Sequence, residues 1–285
     1  MLVATGCFNP VTAYHLINYD KLLSNHHEQK ETIAKQRLTD SLRKDGLFDR
    51  DIDQLEVTAD FAEEYGFLLG RQTMKMAIIK KNVLLFTDLC KKTQFIAGNN
   101  KPLLLKNPYD FPNFLYIKEV FPTAKFVFIH RHPLKTINST LNAVRTILKN
   151  KNTYTSQLSR LYDTFYSNPL IRCFLRFLFW VVPECSLVFI ARITAAGARY
   201  YVENIERLPA KDYISLTYEE FCKHPQEILN SILRKFSCSP QQEIDAASFI
   251  KPRSVAIDDA VQKLRRHIYT SMKKYYERFG YTKDG

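Results

Sequence analysis

Hydrophobic and polar positions divide the 285-residue chain into stretches of distinct character. Residues 25–53 are polar and rich in Lys, Glu, Gln and Asp, with Gly46 as punctuation, which predicts short solvent-exposed helices and a loop in an outer layer. Residues 59–92 carry Phe61, Tyr65, Leu68 and Leu69, then Met74, Ile78, Ile79, Val83, Leu84 and Leu85, near helical spacing, which predicts two helices. In "KPLLLKNP", residues 103–105 form a short buried strand pattern with Lys106 at its end. Pro108 forces a turn, and "NFLYIKEV" reads as a crossing helix. "KFVFIHR" is a second strand pattern, apolar on both faces as in a parallel strand covered by helices. Strand, helix and strand in that order predict a right-handed βαβ unit.

Further along, Leu134, Ile137, Leu141, Val144 and Ile147 line one stripe of a helix. The most apolar stretch, "FLRFLFWVVPECSLVFIARITAAGA", is interrupted by Arg176, Pro183, Glu184 and Arg192, so it lacks the roughly 18 to 20 clean apolar residues of a membrane span. It predicts two core helices meeting at Pro183 and leaves peripheral membrane contact open. "DYISLTYEEFCKHPQEILNSILRKF" gives a strand and then helices that bury Ile228, Ile232 and Leu233, and "DDAVQKLRRHIYTSMKKYYERFGY" is a basic, aromatic-rich helix pattern. Few strands and many helices point to an α/β fold, a short parallel sheet flanked by helices, in one domain over residues 1–285.

A formal net charge of +12 predicts an acidic partner: a phosphate-bearing small molecule, a nucleic acid, a sulfated glycan or an anionic membrane face. The basic residues are spread along the chain without a nucleic-acid-binding signature, so nucleic acid is not expected. Six cysteines lack CxxC or Cys/His spacing, which predicts free thiols in a reducing, cytoplasmic compartment and no metal site. "MLVATGCFNPVTAYHL" lacks the basic region and apolar run of a secretory leader.

The candidate chemistry gathers in "FPTAKFVFIHRHPLKTINSTLNAV". Ligands of open α/β sheets bind outside the carboxyl ends of the strands, so Lys106, His130, Arg131 and His132 are expected to project into one place. Pro133 fits the first helical position. Backbone N–H groups and the hydroxyls of Thr136, Ser139 and Thr140 then stand near a positive helix end, as phosphate requires. Ser139 lies off the centre of the buried stripe, able to face a ligand. Spacing alone fits a strand-ending arginine in a surface salt bridge equally well. A neighbouring arginine should keep His130 and His132 neutral. Asn138, Ser139 and Thr140 form a glycosylation sequon, but its place at the proposed phosphate site argues against modification.

Taken together, the motifs resemble the PAPS-dependent sulfotransferases. In that family a strand ends in an Arg and a Ser follows eight positions later, as Arg131 and Ser139 do. "KPLLLKNP" is similar to the family's strand ending in Lys-Ser-Pro, and "ISLTYEEFCKHPQEILNSILRKF" to its "YEDL" strand and helix, so the resemblance covers residues 63–281. It implies a P-loop-type sulfotransferase fold in which Arg131 and Ser139 clamp the ribose 3′-phosphate of PAPS or of its 3′,5′-bisphosphate product. Lys251 or Arg253 of "FIKPRS" would add to that phosphate, with a solvated charge pair as the alternative; the family often has Arg-Lys-Gly there. Lys106 would stabilise the sulfuryl oxygens, with a structural ion pair as its alternative, while the sulfuryl group passes to a hydroxyl or amine acceptor.

The sequence also departs from the family. The family's loop resembling Ser-Gly-Thr-Thr is not found, and "ATGCFNPVTAY" resembles the segment after it, so the expectation is an N-terminally incomplete domain without its first strand and phosphate loop. "GFLLGRQT" has its glycines one position too close for a phosphate loop and sits in a helical pattern. Pro108 stands where the small-molecule branch has a His. The alternative reading is a non-catalytic homologue that binds a nucleotide or a polyanion.

Overall fold

A computed structural model describes residues 1–44, 57–250 and 256–283. From the N-terminus its elements are β1 (Asn9–Pro10), α1 (Ala13–Ile17), α2 (Leu22–His27), α3 (Glu31–Lys44), α4 (Gly66–Thr73), α5 (Val83–Ala97), β2 (Leu103–Leu104), α6 (Phe114–Val120), β3 (Phe126–His130) and α7 (Pro133–Lys149). There follow α8 (Thr153–Leu158), α9 (Arg160–Ser167), α10 (Pro169–Arg176) with a π-helical continuation (Phe177–Val181), α11 (Pro183–Asn204), β4 (Tyr213–Thr217), α12 (Tyr218–Lys223), α13 (Pro225–Lys235), α14 (Asp259–Lys263), α15 (Arg265–Ser271) and α16 (Lys273–Phe279). Short parallel strands among many helices make this an α/β fold. The elements fall into two compact units: unit 1 is Met1–Gly6, Phe111–Arg145 and Leu175–Gly285, and unit 2 is Cys7–Asp110 and Thr146–Phe174.

In unit 2, β1 and β2 pair in parallel, Asn9 opposite Leu103 and Pro10 opposite Leu104. Of the polar segment 25–53, the described part is helical and mostly exposed, with Leu38 and Leu42 turned inward, and residues 45–53 lie outside the described residues. The two helices expected over residues 59–92 are α4, which buries Leu68 and Leu69, and α5, which buries Leu85, while Tyr65 just before α4 and Ile78 in the link between them are also buried. Met74 is exposed because it ends α4 in a left-handed conformation (φ 55°). Leu84 is exposed because Leu85, Phe86 and Leu89 take the core-facing side of α5.

"GFLLGRQT" is α4, and packing explains its first glycine. A Cβ on Gly66 would stand 2.6 Å from Asn107 Oδ1 and 2.7 Å from the Met76 carbonyl, closer than real contacts allow. Arg71 of the same helix donates to the carbonyls of Leu16, Gln157 and Leu158. Both residues therefore serve the packing of unit 2.

In unit 1, β3 and β4 pair in parallel from Phe126 opposite Tyr213 to His130 opposite Thr217. The expected βαβ sheet does not form: among the described residues β2 hydrogen-bonds to β1, and β3 to β4, in separate sheets. Phe128 packs edge-on against Phe114 and Tyr201, with ring centres 5.3 and 5.1 Å apart. Leu134, Ile137 and Leu141 of α7 join the same core, as does one side of α11 through Leu187, Ile190, Ala191, Ala195 and Tyr201. Helices do not cover both faces of β3, since Ile129 on the alternate face is 53% exposed. Of the two core helices expected at Pro183, α11 is one, whereas α10 and its π-helical continuation contain no buried residue. The terminal helix pattern is three short helices that break at Leu264 and Met272, bury Ile268, Tyr275 and Tyr276, and close over β3. On α13, Leu229 is buried with Ile232 and Leu233, and Ile228 is half-buried.

Candidate functional site

Strand alternation decides which side chains of "FIHRHP" meet solvent. Phe128 and His130 point into the aromatic core, and Arg131 continues the opposite, more open face of Ile129. The Arg131 guanidinium lies 4.9 Å over the ring of Tyr218, the first residue of α12, a contact worth about 0.5–1 kcal/mol. Among the described residues Arg131 forms no ion pair, and its buried Nε has no hydrogen-bond partner. The surface salt bridge that would have explained it is therefore not there.

The two histidines turn away from Arg131. His130 is sealed between Phe279, stacked at 3.9 Å, and Tyr201, and its Nδ1 is 2.9 Å from the Tyr275 hydroxyl. Burial, and after it the Arg278 guanidinium, pushes its pKa down to about 3. It is neutral as expected, though burial rather than Arg131 is the main cause. His132 donates from Nε2 to the Thr282 carbonyl at 2.9 Å, which leaves a buried Nδ1 unpartnered. Burial lowers its pKa too. Neither ring is placed to take a proton from an acceptor.

At the start of α7, Thr136 Oγ1 donates back to the His132 carbonyl and Thr140 Oγ1 to that of Thr136. Ser139 is exposed and its hydroxyl carries no such bond. Its neighbour Asn138 is 2% exposed and spans residues 256–258, donating to the Ala256 carbonyl at 3.1 Å and accepting from the Asp258 N–H at 2.9 Å. Both ends of the sequon asparagine's amide are thus occupied. Arg145 fixes the same segment through Asp258, 2.6 Å away. Lys251 and Arg253, just before it, lie outside the described residues.

Sequence reading missed Glu219. It accepts the His132 N–H at 3.4 Å and the Tyr281 hydroxyl at 3.2 Å, so a carboxylate already faces the entry to α7. Its proximity depends on β4 returning beside β3, a long-range pairing that no local pattern encodes.

Lys106 is in unit 2. Its ammonium lies 3.3 Å from Glu64, and residues 64 and 106 also share a parallel β-bridge. The turn that follows is held by Asp110, which accepts from the Tyr65 hydroxyl at 2.7 Å, Asn107 Nδ2 at 2.6 Å and the Ile78 N–H at 2.9 Å.

A model of the sulfotransferase family matches residues 13–172, a stretch that includes Lys106, Arg131 and Ser139. The chain belongs to the sulfotransferase family. Searches of curated proteins and of solved structures gave no match. In this sulfotransferase-family chain the match stops before β4, so the sequence profile does not reach Tyr218 and Glu219 beside the arginine. Among the described residues no group of three or more His, Cys, Asp or Glu side chains could hold a metal ion, and no single helix is long and apolar enough to cross a membrane.

Proposed function

We propose that this chain is a PAPS-dependent sulfotransferase in which Arg131 and Ser139 bind the ribose 3′-phosphate. Family membership supports sulfuryl transfer in general. The observation that carries the nucleotide site is Arg131, an unpaired guanidinium braced on Tyr218 with a buried donor left over. An anion with several acceptor oxygens fits such a group, because guanidinium donates along two parallel directions. The exposed Ser139 hydroxyl would add a donor, and Lys251 and Arg253 further charge.

PAPS, when bound, would supply the sulfuryl group passed to a hydroxyl or amine acceptor. Lys106 would neutralise charge on the sulfuryl oxygens, a task that requires its ammonium to exchange Glu64 for the donor. The chain passes between the two units four times, which supports their acting as one domain. None of the six cysteines is joined in a disulfide, which suits a reducing, cytoplasmic setting. The Lys106–Glu64 ion pair favours a second reading, a homologue that binds the nucleotide without transferring sulfate.

Calorimetric titration of adenosine 3′,5′-bisphosphate at modest salt tests the site. The expected result is binding that weakens about 10- to 100-fold in Arg131→Ala, the worth of charge-assisted hydrogen bonds. Equal binding by the variant would move the phosphate elsewhere, and no binding to either would overturn both readings. Sulfate transfer from PAPS by a chain that binds the bisphosphate separates enzyme from binder.

A further inference from the structure

Unit 1 carries an apolar surface on either side of Pro183. Phe177, Trp180 and Val181 of the π-helical segment are exposed, and so are Phe189 (66%) and Ile193 (58%) of α11. The chain bends by 89° at the break between them. On α11 the inward side is already used, with Leu187, Ile190, Ala191 and Ala195 in the core. A helix in water would carry polar residues on its other side. Instead Cys185, Phe189, Ile193 and Ala196, spaced three or four apart, run along it.

We infer that this surface docks on an anionic lipid bilayer, lying in the interface without crossing it. The charge around it selects that occupant. Within unit 1, between residues 175 and 202, the sequence has Arg176, Arg192 and Arg199 against one acid, Glu184, and Glu184 pairs with Lys263 at 3.2 Å. Arg192 and Arg199 are exposed beside the apolar strip. Arginines flanking such a strip bury their stems in the headgroup layer and keep their charge at lipid phosphates. Trp180 is placed as interfacial tryptophans are, part buried and part wet at 43% exposure. Among the described residues no single helix is both long and apolar enough to span, and two bent, apolar-faced segments are what an in-plane anchor needs.

Trp180 is the chain's one tryptophan, so its fluorescence reports on this surface directly. The full chain is mixed with vesicles of three parts phosphatidylcholine to one part phosphatidylserine. The expected result is a blue shift, quenching by brominated lipid, and flotation with the vesicles. Phe189→Glu with Ile193→Glu, both at exposed positions, should reduce flotation at least about tenfold while the circular dichroism stays unchanged. Arg192→Gln and Arg199→Gln should each weaken binding about fivefold on these vesicles and little on pure phosphatidylcholine. Undiminished flotation of the glutamate variant would overturn the proposal in favour of diffuse basic attraction. A blue shift that grows with protein concentration without lipid would overturn it in favour of a second copy of the chain. Absence of both shift and flotation would overturn it outright.

Discussion

Two strands of this chain end in a basic residue, and their surroundings differ. At the end of β2, Lys106 is paired with Glu64, and the following turn is tied by three hydrogen bonds to Asp110. At the end of β3, Arg131 rests on an aromatic ring with a buried donor unpaired. Stability favours paired charges, so the Lys106 ammonium is accounted for by folding alone, although Asn107 Oδ1 in the same turn is buried without a partner. An unsatisfied donor lowers stability, which makes Arg131 the better candidate for a group held ready for a ligand.

The largest test of this contrast is Asp110→Ala. It strands the Tyr65 hydroxyl, the Asn107 amide and the Ile78 N–H inside unit 2, and should cost about 3–5 kcal/mol in urea unfolding. A loss below about 1 kcal/mol would mean that Asp110 does not hold this turn together.

Acidification probes the other side. The pKa of His130 is depressed to about 3 in the folded protein against an ordinary value near 6.5. Its contribution is therefore complete above pH 6.5 and is lost as pH falls from there toward 3, because only the unfolded chain then takes up the proton. By pH 5 that loss is about 2 kcal/mol for His130. His15 in unit 2, pushed down to about 4 chiefly by burial, adds a loss of the same sign. His130→Gln should flatten the pH dependence of the urea midpoint by one histidine's share. An unchanged slope would show that the ring is not sealed behind Arg131.

How much of this could be read from the sequence depends on distance along the chain. Arg131, Pro133 and Ser139 are near neighbours, and their strand-turn-helix setting follows from local rules. Tyr218 beneath Arg131, Glu219 at the His132 N–H and Tyr275 at His130 come from 87 to 145 positions away, and depend on pairing and docking that no periodicity reports. The stretch before Pro183 was legible as apolar and was expected to form a core helix, which it does not. Whether such a stretch faces core or solvent was not legible, because apolar composition does not say what covers it. The βαβ unit failed for a related reason: strands of two and five residues carry no signal for which neighbour they hydrogen-bond.

Glu219→Gln sharpens the contrast at the arginine. The carboxylate and a bound phosphate would compete for the positive entry of α7, and the amide oxygen of Gln can still accept the His132 N–H. Affinity for adenosine 3′,5′-bisphosphate should rise about two- to fivefold, the usual worth of one charge at a helix terminus. Weaker binding would instead make Glu219 a support for Arg131.

The smallest expected effect is at Lys106. Its side chain is half exposed, so its ion pair with Glu64 is screened by water and contributes no more than about 1 kcal/mol. Lys106→Met should leave the urea midpoint nearly unchanged and should alter bisphosphate affinity less than about twofold, because the bisphosphate lacks the sulfuryl group on which a sulfotransferase lysine would act. Transfer from PAPS, measured on the same variant, then isolates that role: a large fall in rate with unchanged bisphosphate binding would assign Lys106 to the sulfuryl end. A tenfold loss of bisphosphate affinity would erase the contrast between the two strand ends, since both basic residues would then be holding the same nucleotide.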